Sequence, residues 1–156
     1  MTASNLFLTE RIFLSFDLAM GDLELAEHEL KSRNINLVIV KNGVVLCQSM
    51  AHGMKGLLQA IEEYDGDLAG TAVADKIIGR AAAMLCVYSK AKSVFAITMT
   101  EGALRLLIKN RVAHKFERHV RRLMNSQGTD ICPFERAIRD IDDPKEAFKT
   151  LRLLVM

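Results

Sequence analysis

The sequence predicts an α/β fold, a three-layer α/β/α sandwich built on a mixed sheet, and three stretches predict it. INLVIV (35–40) and VVLC (44–47) flank Asn42-Gly43. Two β-branched runs around Asn-Gly are the strongest short-range hairpin signal, closing through a type I′ turn. From Ala81 to Val87 every residue is apolar, so a helix there must be covered on more than one side. SVFAIT (93–98), a following helix and a strand over Val112–Phe116 form a β–α–β unit, whose right-handed crossover makes the two strands parallel. A hairpin joined to parallel strands makes a mixed sheet with helices on its faces.

Taken in order, residues 1–21 read as a variable N-terminal extension, packing on the domain as a helix or an extra strand. NLFLTERIFLSFDLAM is mildly apolar but is interrupted by Glu10, Arg11 and Asp17, unlike a signal peptide. Asp22 is a candidate N-cap for a helix to about Arg33, with Leu23, Ala26 and Leu30 at helical spacing. The hairpin follows, then a loop at His52–Gly56 and a short amphipathic helix, LLQAIEEY. DGDLAG (65–70) is a second loop.

From Asp75 onward the chain reads as one central helix, with Asp75 as its N-cap and its polar side chains, Asp75, Lys76 and Arg80, confined to the first two turns. Lys76 and Arg80, four apart, share a face there and repel unless an anion lies between them. After the strand SVFAIT, Thr100 caps a helix through EGALRLLIKN. Arg118–Met124 is a helical turn or an edge strand, and NSQGTD a loop. CPFERAIRDI starts a helix with Pro133 at its first position. Asp143-Pro144 restarts a last helix with Phe148, Leu151 and Leu154 on one face. Residues 22–141 form one domain, and 142–156 a C-terminal helix packed on it.

The 156 residues are 50% hydrophobic and 26% charged with a net charge of +2, ordinary for a globular protein. Bulk charge therefore implies no nucleic-acid binding. No apolar run reaches the length of a membrane span. Cys47, Cys86 and Cys132 are far apart and odd in number, which suggests no disulfide framework and a reducing, cytoplasmic setting. Cys47 and Cys86 read as inert core residues.

Motifs with a mechanism are few. No G-x-G-x-x-G follows a strand, Gly66…Gly70-Thr71 lacks the lysine of a phosphate loop, and His28-Glu29 has no second histidine in place. The histidines and cysteines do not pair at metal spacing, so neither zinc nor another cofactor is expected. Cys132-Pro133-Phe134-Glu135 reads as a helix start with a carboxylate in its first turn; the sharper reading is a cysteine whose pKa is lowered there. Lys109 to Arg122 is rich in Lys, Arg and His against Glu117 alone. Its plain reading is a solvated face; the alternative is a phosphate-bearing ligand or RNA, with few aromatics to stack bases.

The element order resembles that of the cytidine deaminases, which carry H-x-E at the start of one helix and P-C-x-x-C at the start of the next, binding zinc to activate water. Set against Ala74-Asp75-Lys76 and Met99-Thr100-Glu101-Gly102-Ala103, neither signature finds a His or Cys. VADKIIGRAAAML, TEGALRLL and GTDICPFERAI together resemble a bacterial and archaeal family of unknown function, over roughly Asp22 to Ile141. That family has a cytidine deaminase-like fold without the zinc site, and the resemblance implies that the starts of the central and following helices converge. Asp75, Lys76, Thr100 and Glu101 would then line one pocket, with Arg80, Cys132 and Glu135 as further ligand-binding candidates.

The favoured expectation is a zinc-free domain binding a small phosphorylated or nucleotide-like ligand, of the ADP-ribose or nucleotide class. Two alternatives stand beside it. One is an enzyme acting on a nucleotide-derived substrate through Cys132 or through Asp75 and Glu135. The other is a non-catalytic interaction module that self-associates through its C-terminal helix. A membrane partner is not expected.

Overall fold

The computed structural model describes residues 21–155; the readings for residues 1–20 and Met156 lie outside the described residues. Residues 21–33 form helix α1. Asp22 lies within the helix, and its carboxylate turns outward to the hairpin, where it accepts from the N–H groups of Asn42 and Gly43 at 2.8 Å each. Strands β1 (Leu37–Lys41) and β2 (Val44–Ser49) pair antiparallel. Asn42 and Gly43 have φ of 52° and 77°, the two left-handed residues that a type I′ turn requires. Helix α2 (Lys55–Tyr64) and a single 3-10 turn (Asp65–Leu68) follow.

The central element differs from expectation. Ala72–Ile78 is strand β3, and helix α3 spans only Arg80–Tyr88, with Gly79 at its N-cap. Asp75 therefore caps no helix, and Lys76 and Arg80 never share a helical face. Ala72–Ala74 suit either state by propensity, but β3 has two waiting neighbours. It pairs antiparallel with β1 and parallel with β4 (Ser93–Thr100). Those two ladders satisfy its backbone on both sides, and tertiary pairing overrides a weak local preference.

Helix α4 (Glu101–Lys109) starts on Thr100, whose Oγ1 accepts from the Ala103 N–H at 3.1 Å. Strand β5 (Ala113–Val120) pairs parallel with β4, so Arg118–Val120 takes the edge-strand alternative. The sheet order is β2-β1-β3-β4-β5, mixed as predicted. Helix α5 is short, Pro133–Ala137, and α6 runs Pro144–Val155.

Alternation along the strands assigns the layers. Val38, Val40, Ala72, Ala74 and Phe95 pack with Ala26 and Leu30 of α1 on one face. Leu37, Ile39, Val73, Val94 and Ala96 join α2, α3, α4 and α6 on the other. Ala81 to Cys86 of α3 are all buried, which accounts for the apolar run, and Tyr88 stacks on Phe148 of α6 at 4.6 Å. Ala147 and Leu151 carry the buried face of α6, whereas Leu154 is 51% exposed, because Ala147, not Leu154, completes the i, i+4 stripe with Leu151.

Candidate functional site

The ends of β3 and β4 open onto two adjoining cavities. The larger, about 540 Å³, lies between the end of β3, the starts of α2, α3 and α5, and the loop before α5. Leu37, Leu57, Leu123 and Phe134 give it apolar walls; Asn36, His52, Asp75 and Glu135 are among its polar lining.

Asp75 is the unusual member. It has the parity of Val73 on β3, so its side chain faces the α2–α3 layer, where the preceding alternate positions are core. Part of its surface remains accessible on the cavity. Burial pushes its pKa up to about 7, against the opposing pull of the Ile77 and Lys76 N–H groups and the Lys76 charge. Ile77 N–H donates to Oδ1 at 3.2 Å. Beneath α3 the Cys86 thiol is pushed up to about 12 by burial, with the Asp75 carboxylate adding to the rise, so Cys86 is an inert core residue.

Glu135 approaches α3 from α5. Its Oε2 accepts from the Ala81 N–H at 2.9 Å, so a side chain 54 positions along the chain caps a helix whose own N-cap residue has no side chain. Gly79 is favoured by contact: a Cβ there would overlap Glu135 Oε1 and come within 2.8 Å of Leu123 Cδ1, so the capping carboxylate would have to move. Burial raises the Glu135 pKa, opposed by the Ala81 and Arg80 N–H groups and the Arg80 charge.

The remaining candidates separate. Cys132 is the N-cap of α5 and lines the large cavity. Lys76 also lines it, with Nζ donating to Asn34 Oδ1 at 2.9 Å. Arg80 is committed elsewhere: its guanidinium donates to the carbonyls of Ile138 and Ile141 at 2.5 and 2.7 Å and pairs with Asp142 at 3.2 Å, tying α3 to the α5–α6 connection. Thr100 and Arg80 line the second cavity, about 180 Å³, which also touches Glu135. Glu101 lines neither; it pairs with Arg105 and His119 at 2.9 and 3.0 Å. The single pocket of Asp75, Lys76, Thr100 and Glu101 therefore does not form, because β3 and β4 end beside different cavities.

Ala74-Asp75-Lys76, set against a deaminase helix start, lies inside a strand; the helix starts at the large cavity are at Met54, Gly79 and Cys132. Sequence reasoning missed Asn36, His52 and Phe134. Asn36 had a signal, a polar residue within a β-branched run; His52 and Phe134 had none beyond their neighbouring glycine and proline. Among the described residues no three His, Cys, Asp or Glu side chains group as a metal site, and no helix is long and apolar enough to cross a membrane.

These features define a mixed-sheet α/β/α domain with a cavity at its strand ends. The chain belongs to the family described as TM1506, a domain of unknown function (DUF1893), whose model matches residues 25–154. A DUF1893 family protein from Thermotoga maritima has the same fold, at a TM-score of 0.75 and 21% identity over 83% of this chain and 87% of that one. The apo dCMP deaminase of cyanophage S-TIM5 aligns at a TM-score of 0.45 and 15% identity, over 68% of this chain and 98% of that one. No curated protein matches the chain.

Proposed function

We propose that the protein binds a small nucleotide-like molecule, with a nitrogen heterocycle in the large cavity against Asp75. The observation that carries this reading is a carboxyl at a core-facing position of the central strand. A polar group so placed weakens a fold unless it serves a site. At a pKa of about 7 it presents either a donor or an acceptor at neutral pH, which suits the amide and amine edges of a heterocycle. The volume falls in the range of small-molecule sites, roughly 300–1,000 Å³, which are apolar with a few convergent polar groups. Phe134 adds an aromatic ring to the lining, and the cavity lies beyond the carboxyl end of a parallel strand, where open α/β sheets hold ligands.

The test is calorimetric titration with a panel of nucleosides and nucleotides, beside native mass spectrometry of the purified protein. At least one compound binds, and both Asp75→Asn and Ser126→Trp, at an exposed residue of the cavity lining, weaken it about tenfold or more. Binding unchanged in both variants, or no binding by any compound, refutes the reading.

A second reading, proton transfer on the bound ligand, draws on the same Asp75 titrating near neutrality. It requires a change in ligand mass or structure on incubation that Asp75→Asn abolishes.

A further inference from the structure

The second cavity has a different chemistry from the first. Of its ten lining residues five are arginines, and Glu135 is the one carboxylate. Arg80 is held by the carbonyls of Ile138 and Ile141, and Arg136 pairs with Asp130. Arg121 and Arg122, just past β5, and Arg139, just past α5, make no side-chain hydrogen bond or ion pair among the described residues. Two separate segments thus bring three uncommitted guanidinium groups to one concavity at the start of α4, where Thr100 and Gly102 also line it.

The basic run around β5 explains why these positions stand out. Lys115 pairs with Glu27 at 2.8 Å, Arg118 donates to Thr98 Oγ1 at 3.0 Å, and His119 meets Glu101. The middle of the run is therefore engaged within the fold, and Arg121 and Arg122 remain at its end. Guanidinium groups present paired N–H donors that match phosphate oxygens, and the positive end of the α4 dipole adds to the attraction.

We infer that this cavity is a phosphate-binding subsite, and that it takes the phosphate or diphosphate end of the ligand whose ring occupies the large cavity. The second half of that statement rests on the proposed function. The two cavities share Leu123 and Glu135 as lining, which sets the ring and phosphate subsites side by side. No aromatic residue lines the arginine cavity, which favours a small phosphorylated molecule over RNA, whose bases need stacking partners.

Inorganic pyrophosphate is the probe, titrated at low ionic strength into the wild-type protein, the triple variant Arg121→Ala/Arg122→Ala/Arg139→Ala, and the control Lys109→Ala/Arg111→Ala. The control removes two cations, one fewer than the triple variant, beyond the opposite end of the eight-residue β5, about 26 Å away. The arginines are exposed, so the triple variant keeps its fold, as an unchanged circular dichroism spectrum verifies. The expected result is saturable binding that weakens about tenfold or more in the triple variant and stays within about twofold in the control. Equal loss in both variants, no loss in the triple variant, or no binding by the wild type overturns the subsite. A single-stranded RNA oligonucleotide that outcompetes pyrophosphate at the same arginines overturns the small-molecule assignment. Pyrophosphate binding is independent of the heterocycle: its persistence while no nucleoside or nucleotide binds in a way that Asp75→Asn or Ser126→Trp weakens would sustain the subsite and remove the proposed function.

Discussion

The β3–α3 and β4–α4 junctions have the same plan, a parallel strand passing directly into a helix beside a cavity, yet they are built by opposite means. At β4–α4 the cap is local: Thr100 bonds the N–H three residues on, and Glu101 is satisfied within one turn by Arg105. At β3–α3 the cap position is Gly79, the capping oxygen comes from Glu135 on a distant helix, and the strand end carries a desolvated carboxyl. A locally capped junction stands by itself. A junction capped from afar couples two elements, so whatever moves α5 is felt at α3 and at the cavity between them.

The largest effect expected is from Glu135→Ala, which strips the acceptor from the Ala81 N–H and frees α5; chemical denaturation should show a loss of about 2–3 kcal/mol. Glu135→Gln keeps an acceptor without the buried charge and should recover most of it. A Gln variant as weak as Ala would mean that the charge, not the cap, holds the junction.

Asp75→Asn comes next and has the opposite sign. The folded pKa of about 7 stands above the ordinary carboxyl value of 3.8, so the folded state holds the proton more tightly than the unfolded chain. Stability is thus greatest at or below about pH 4, declines as pH rises to 7, and stays low above it. Removing the titration should stabilise the protein by about 2 kcal/mol at pH 8, roughly half the full shift because the cavity side is accessible to water, and flatten the profile between pH 4 and 7. An unchanged pH profile would show that folding leaves the Asp75 pKa at its ordinary value.

Gly79→Ala should cost about 1–2 kcal/mol, since the new methyl collides with Glu135 and Leu123 and the neighbours must yield. Combined with Glu135→Ala its penalty should shrink, a coupling that a double-mutant cycle reads directly. The smallest effect is Thr100→Ala at about 1 kcal/mol, with Thr100→Ser near neutral. Coupling of Thr100→Ala to any change in α5 would erase the contrast between the junctions.

That contrast also marks where sequence reading succeeds. Thr100, the Asn42-Gly43 turn, the buried run from Ala81 and the strand at Ser93 were all legible, because each signal lies within a few residues of what it controls. The strand at Ala72–Ile78 was not. Its residues permit helix or strand, and the choice belongs to β1 and β4 on either side. The helix predicted there also misdirects the site: Asp75 and Lys76 read as a helix start, and they line the large cavity for a different reason, as part of the end of a central strand.

By itself the sequence determined the mixed α/β architecture, the hairpin, the α4 cap and the family, through dihedral preferences, apolar periodicity and recognisable residue strings. The tertiary structure alone decided that β3 is a strand, that Glu135 caps α3, that Arg80 serves the α5–α6 connection, and that the arginines after β5 and after α5 line one cavity. Hydrogen-bond partners, desolvation and charge clustering depend on which surfaces the fold brings together, and residues far apart in the chain carry no local mark of that meeting.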